Sequence, residues 1–248
     1  MVIFTSLFMI FGLSVMRDNA VSRLRQYRLS ISTRPFKARG FRTKRCSFCL
    51  LPEKQCLCDT IVNQPAKSQF CLLMYDTEVM KPSNTGKLIA DVLPDTQAFL
   101  WSRTTPEQAL LNLINTPDRQ AYVVFPESYA SSERIVYNQL PTNSKSPLFI
   151  LLDGTWSEAR KMFRKSPYLD ALPIFSLNEA SKCDYILRQA AREDQHCTAE
   201  VAASILENVG DIQASQQLFS HFSYFRQQYL LGKPDRSQAK EEQISYIE

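Results

Sequence analysis

The chain has 248 residues, of which 44% are apolar and 22% charged, with only six glycines, no low-complexity tract and no internal repeat. These figures exclude a disordered or repetitive chain and suit a soluble globular protein of one or two domains with a sizeable core. The net charge of +4 is unevenly spread: residues 1–45 carry ten Lys or Arg against one acid, a charge of +9, which leaves −5 on the remainder.

Residues 1–15, "MVIFTSLFMIFGLSV", are apolar but shorter than the roughly 20 residues of a membrane span. They lack the basic start of a secretory signal. Met16 opens a second start, so residues 1–15 read as an upstream-start artefact or a dispensable extension, with a membrane anchor the less favoured alternative; the expectation is a cytoplasmic protein with no stable membrane association. The basic arm that follows suggests an acidic partner such as nucleic acid; the alternative is a solvated tail. Residues 1–44 are read as this extension, 45–60 as a cysteine loop, 61–232 as the main domain and 233–248 as a polar tail.

Four of the seven cysteines fall in "RCSFCLLPEKQCLC" as C-x2-C-x6-C-x-C: Cys46, Cys49, Cys56 and Cys58. Zinc takes four tetrahedral ligands and favours thiolate sulfur. Disulfides are disfavoured without a secretory signal, and the usual iron–sulfur spacings differ. Four protein ligands leave no open position, so the expected ion is structural and braces a loop too small for its own core.

Beyond the loop, the sequence alternates. "QFCLLMY" (69–75), "AFLW" (98–101), "AYVVF" (121–125), "LFILL" (148–152) and "PIFSL" (173–177) read as strands. The continuous apolar runs suit strands buried on both faces. Helices are expected over 84–93, from Pro106, over 198–210 and over 212–231. Such alternation predicts an α/β domain, with a mostly parallel sheet and helices on both faces.

Ligands of such sheets gather at the carboxyl ends of the strands. Pro126 and Glu127 follow one strand there, and "DGTWSEARKMFRKSP" follows another. Asp153 stands at that strand's end, Gly154 permits close backbone approach, and Thr155 to Glu158 has the form of a capping box. The helix then carries Arg160, Lys161, Arg164 and Lys165. An acid beside a basic helix suits work on an anionic polymer. The plainer alternative is an acid satisfying loop amides, a core Trp156 and solvated cations.

The ordered set of four cysteines, "NTG", "VVFPE", "LDGTWSEARKM" and "YILRQ…CTAEVAA" resembles the DTW-domain family over residues 45–231, and within it the bacterial tRNA-uridine aminocarboxypropyltransferases. The resemblance implies a SPOUT-like fold with a C-terminal trefoil knot that holds S-adenosylmethionine. It also implies transfer of that molecule's 3-amino-3-carboxypropyl arm to N3 of a tRNA uridine in the variable loop, with methylthioadenosine as by-product. Asp153 is then the general base. Pro126, Glu127, Gly154, Thr155, Trp156, Leu187 and Arg188 are then the cofactor contacts, with Arg188 pairing the amino acid carboxylate or else sheet-edge carbonyls. Asn84 and Thr85 either touch the cofactor or cap a helix, and His196 is either a proton carrier or a surface residue. RNA contacts fall to Arg42, Lys44, Arg45, Arg160, Lys161, Arg164 and Lys165. Rival classes are a SPOUT-type RNA methyltransferase and a non-catalytic, zinc-stabilised RNA-binding module.

Overall fold

Three apolar runs form the centre of the sheet. β1 (Gln69–Met74), β3 (Arg119–Val124) and β5 (Ser146–Asp153) lie parallel, with β5 in the middle. β2 (Gln97–Leu100) pairs with β1, while the two-residue strands β4 (Val136–Tyr137) and β6 (Ile174–Phe175) extend the other side. The order is β2-β1-β5-β3-β6-β4 and every pairing is parallel. The computed structural model describes residues 18–36, 41–142, 145–177 and 197–233.

Strand side chains alternate between two cores, as a period of two requires. Phe70, Leu72, Met74, Phe149 and Leu151 face one, and Cys71, Leu73, Leu148 and Ile150 the other. Helices α1 (Ala20–Ser30), α2 (Gly86–Val92), α5 (Thr198–Asn208) and α6 (Ile212–Leu231) cover the first face. Helices α3 (Gln108–Ile114) and α4 (Trp156–Arg164) cover the second. The chain therefore leaves β1 toward one face, through α2, and leaves the adjacent β5 toward the other, through α4. The carboxyl ends of β1 and β5 flank a topological switch point, and Met74 and Asp153 are register partners there.

The basic arm holds a helix that charge alone does not announce. Asn19 and Ser22 cap α1 reciprocally: the Ser22 amide donates to Asn19 Oδ1 at 2.8 Å, and the Asn19 amide donates to Ser22 Oγ at 2.9 Å. Ala20, Val21 and Leu24 are buried. Asn19 Nδ2 donates to Asp91 Oδ1 of α2 at 2.7 Å, and Asp91 Oδ2 meets His221 Nε2 of α6 at 3.1 Å. Arg28 pairs with Asp76 at 2.6 Å, and Arg25 donates to the Ser47 carbonyl at 2.6 Å. Two of the arm's cations are thus held by partners within the molecule.

The cysteine loop rests on the same face. Leu51 and Leu57 are fully buried, and Lys87 of α2 donates to the Cys49 carbonyl while its ammonium lies 4.8 Å from the centre of the Phe225 ring. Burial pushes Lys87 down to about 8. Lys87 thereby joins the loop to α2. The connection from β6 to α5, residues 178–196, on which a C-terminal knot depends, lies outside the described residues. Among the described residues, no helix is long and apolar enough to cross a membrane.

Candidate active site and metal centre

The four thiols converge as their spacing predicts. All four sulfurs lie within 4.8 Å of one another, with Cys46 to Cys58 at 3.6 Å and Cys49 to Cys56 at 3.8 Å. A zinc–sulfur length of about 2.3 Å gives a tetrahedron with edges of about 3.8 Å, which these two pairs match, so the donor set fits zinc. The knuckle is closed by the Leu50 amide donating to the Cys46 carbonyl at 3.1 Å and the Cys46 amide donating to the Leu51 carbonyl at 2.9 Å. This turn holds Leu50 at φ 63, a left-handed conformation uncommon for a branched side chain. Hydrogen bonds from the Cys58 thiol and from the backbone at Leu57 and Leu51 hold Cys49 down to about 5, so the cluster favours a thiolate. The same interaction pushes Cys58 up.

The second centre is a cleft of about 620 Å³ at the carboxyl ends of β3, β5 and β6. That volume lies within the usual range for small-ligand sites. One wall is aromatic: Trp156 stacks on Phe125 at 5.4 Å, and Tyr129 stands edge-on to Trp156 at 5.7 Å. Trp156 is nonetheless 44% exposed, at the start of α4. Phe175, Ser176 and Leu177 form another wall, and Thr198, Val201 and Ser204 of α5 a third. The α4 capping box is present, with the Thr155 amide donating to Glu158 Oε2 at 2.7 Å. A β-carbon on Gly154 would lie 3.1 Å from the Glu158 Cβ and 3.3 Å from the Tyr75 Cβ, so the glycine permits close packing there.

Asp153 sits behind this cleft rather than on it. It is 2% exposed and does not line the cleft wall. Its Oδ2 accepts from Asn84 Nδ2 at 2.6 Å and its Oδ1 from the Thr198 hydroxyl at 2.5 Å. Gly86 leaves the space for this carboxylate, since a β-carbon there would fall 2.7 Å from Oδ2. Burial raises Asp153 to about 6, against the two hydrogen bonds, which favour the charged form; the Glu78 charge raises it further and Lys81 opposes. A buried carboxylate held near neutrality is suited to proton transfer.

Of the sequence-predicted contacts, Pro126, Gly154, Thr155 and Trp156 line the cleft, while Glu127 lies beside it with its amide bonded to Ser176 Oγ at 3.1 Å. Asn84 serves Asp153 and also accepts from the Lys87 amide at 3.0 Å in the first turn of α2. Leu187, Arg188 and His196 lie outside the described residues. Thr198, Asn84's bond to Asp153 and the Phe125–Trp156 stack are not legible as a site in the sequence. The sequence signals for Thr198 are its place in the "CTAEVAA" motif and its position opening the helix after the last strand's loop.

The cations fall into two groups on opposite faces. Lys44 pairs with Glu53 at 3.2 Å, Arg45 donates to the Leu50 carbonyl at 3.1 Å, and Arg42 stands 5.8 Å from the Phe41 ring centre, all near the cysteine loop. On α4, Arg160 lies 6.0 Å from the Trp156 ring centre, and Lys161 donates to the Tyr75 hydroxyl at 3.0 Å above the stacked Tyr75–Trp101 pair. Arg164 and Lys165 join Arg103 in lining a second, open cleft of about 690 Å³.

A parallel α/β domain with a four-cysteine loop and an aromatic cleft at the carboxyl ends of its strands is the class these features define. The sequence model of the DTW domain matches residues 43–230, and the chain belongs to the DTW-domain family. Among similar proteins, the tRNA-uridine aminocarboxypropyltransferase 2 of Drosophila melanogaster is 24% identical over 170 residues, covering 66% of each chain. The protein of that name from Mus musculus is 28% identical over 180 residues, covering 69% of this chain and 59% of its own. That from Macaca fascicularis is 25% identical over 179 residues, with the same two coverages. The chain thus spans from 59% to 66% of the length of these relatives. They are animal proteins, whereas the motif resemblance points to bacterial members. No solved structure matches.

Proposed function

We propose that this protein transfers the 3-amino-3-carboxypropyl group of S-adenosylmethionine to N3 of a uridine in tRNA, in the variable loop, releasing methylthioadenosine. The observation that carries the reading is a buried carboxylate, raised to about 6, immediately behind the wall of an aromatic cleft, in a chain whose relatives are named tRNA-uridine aminocarboxypropyltransferase 2. Uridine N3 attacks only as its proton leaves, and Asp153 is the acceptor for that proton. S-adenosylmethionine enters as a substrate. Its adenine suits the Phe125–Trp156 wall, with Pro126, Glu127, Gly154 and Thr155 around it. Leu187 and Arg188 belong to the same assignment through the motif resemblance. The sulfonium is already a good leaving group, so the protein's task is to aim the methylene carbon rather than the methyl at N3, which is orientation catalysis.

Zinc at Cys46, Cys49, Cys56 and Cys58 is structural, because all four positions are filled by protein. It fixes the loop that Lys87 ties to α2, and through Asn84 the end of β5. Arg160, Lys161, Arg164 and Lys165, with Arg42, Lys44 and Arg45 across the molecule, meet tRNA phosphates. A SPOUT-like relationship with a C-terminal knot, and a cytoplasmic setting beside tRNA, complete the reading and rest on the motif resemblance.

The test is mass spectrometry of tRNA nucleosides after incubation with the protein and S-adenosylmethionine. A uridine carrying the aminocarboxypropyl group is the expected product. A methylated nucleoside with adenosylhomocysteine would replace this reading with a methyltransferase, and unaltered tRNA bound tightly would leave only an RNA-binding module.

A further inference from the structure

The cleft and the carboxylate are separated by one side chain. Thr198 lines the cleft, and its hydroxyl donates to Asp153 Oδ1 at 2.5 Å. The other carboxylate oxygen is held by Asn84 at 2.6 Å, and Asp153 itself is 2% exposed. The carboxylate does not line the cleft, and the residue that does line it, Thr198, already donates its hydroxyl proton inward to that carboxylate.

We propose that Thr198 is a catalytic residue that carries the substrate's proton to Asp153, so that the carboxylate acts through the hydroxyl and never touches the uridine. The inference rests on the functional reading above. As N3 attacks the methylene carbon, the N3–H proton passes to Thr198 Oγ, and the Thr198 hydroxyl proton passes to Asp153 Oδ1. The N3 electron pair forms the new N–C bond. The C–S bond breaks with its pair left on sulfur, and the sulfonium becomes the neutral thioether of methylthioadenosine. Thr198 ends as it began, and Asp153 holds the proton until it is released to solvent.

The surroundings suit a relay. Thr198 is the first residue of α5, so the positive end of that helix lies beside the carboxylate and favours its charged form before the transfer. Glu78, which accepts from Lys81 at 2.5 Å and from Asn84 at 3.3 Å, opposes that charge, while Lys81 supports it. The acceptor is thus held between the two states rather than locked in either.

The experiment uses single-turnover formation of the modified uridine by the full chain, with S-adenosylmethionine and tRNA binding measured in parallel. Thr198→Val keeps the shape and removes the hydroxyl; its rate is expected to fall about 100-fold or more with binding little changed. Thr198→Ser keeps the hydroxyl and is expected to retain at least about a third of the wild-type rate, against the loss predicted for a missing relay. In mixtures of light and heavy water, the wild-type rate should bend downward as two protons move together, a readout that needs no variant to fold. A Thr198→Val protein within about threefold of wild type would overturn the relay, since a missing proton carrier costs far more. So would a Thr198→Ser protein as slow as Thr198→Val, which assigns the threonine to packing, or a strictly linear dependence on heavy water. Wild-type protein that leaves tRNA uridine unmodified overturns the functional reading itself, and the relay with it.

Discussion

The cysteine loop and the cleft at the strand ends handle negative charge in opposite ways. The loop gathers four sulfurs within 4.8 Å on a segment with little core of its own, a geometry that asks for a cation. Behind the cleft one carboxylate is buried and met by neutral donors, Asn84 and Thr198. The first arrangement lowers a thiol to about 5; the second raises a carboxyl to about 6. The loop favours one anion, at Cys49, and pushes Cys56 and Cys58 up, whereas the group meant to take a proton is held near the point of change. The two are joined through α2, with Lys87 on the loop and Asn84 on the carboxylate.

The largest expected effect breaks the loop alone. Cys56→Ser should lower zinc content and thermal stability together, because structural zinc sites contribute on the order of 10 kcal/mol to the folding of their loops. Elemental analysis alongside thermal unfolding checks it. Protein purified without chelator that holds no zinc, or holds iron and sulfide, would remove the metal side of the comparison.

Breaking the cleft should spare the metal. Asp153→Asn can keep both hydrogen bonds, with its carbonyl facing Asn84 and its amide facing a reversed Thr198 hydroxyl, yet it has no basicity. Turnover should fall by about 10²- to 10⁴-fold, with the deficit shrinking as pH rises and uridine deprotonates unaided. Zinc content and binding of S-adenosylmethionine should stay near wild type. Single-turnover assays across pH, with binding in parallel, check this.

The same variant separates stability from activity. Asp153 is raised from 3.8 to about 6 in the native state, so the folded protein binds the proton more tightly than the unfolded one. That contribution is fully present below about pH 4 and is lost as pH rises through about 6. Stability of Asp153→Asn relative to wild type should therefore grow by roughly 2 kcal/mol between pH 4 and pH 7, most of what a shift of roughly two pKa units is worth. Urea unfolding at several pH values measures it; a flat difference would mean that the carboxylate is not held away from water.

The smallest effect concerns the surfaces. Replacing Arg164 and Lys165 with Gln should weaken tRNA binding and reduce the log–log salt slope by roughly 0.7 to 0.9 for each phosphate no longer neutralised. Removing residues 16–45, by contrast, takes away α1 with its buried Ala20, Val21 and Leu24, and should cost stability as well as RNA affinity.

Local signals carried most of the fold. The apolar runs located β1, β3 and β5 to within two residues at either end, because strands buried on both faces have no polar alternation to blur them. The helix expected over 198–210 ends at Asn208, with Gly210 at φ 87 just beyond it. α1 is masked by its own arginines, although the Asn19–Ser22 pair marks its start. β4 is two residues in a polar stretch, too short for any period. The cysteine site is readable because its ligands lie within thirteen positions. The Asp153 environment is not, since Asn84 and Thr198 stand 69 and 45 residues away and meet it only through the sheet's topology.

The most direct measurement follows the two ends of the donor separately. S-adenosylmethionine is labelled either in its methyl group or in its carboxyl carbon and incubated with the full chain and tRNA. The carboxyl label should enter RNA in wild type and not in Asp153→Asn, while the methyl label should leave with methylthioadenosine and stay out of the RNA. Methyl label in the RNA, or carboxyl label transferred as fast by Asp153→Asn as by wild type, would contradict the account.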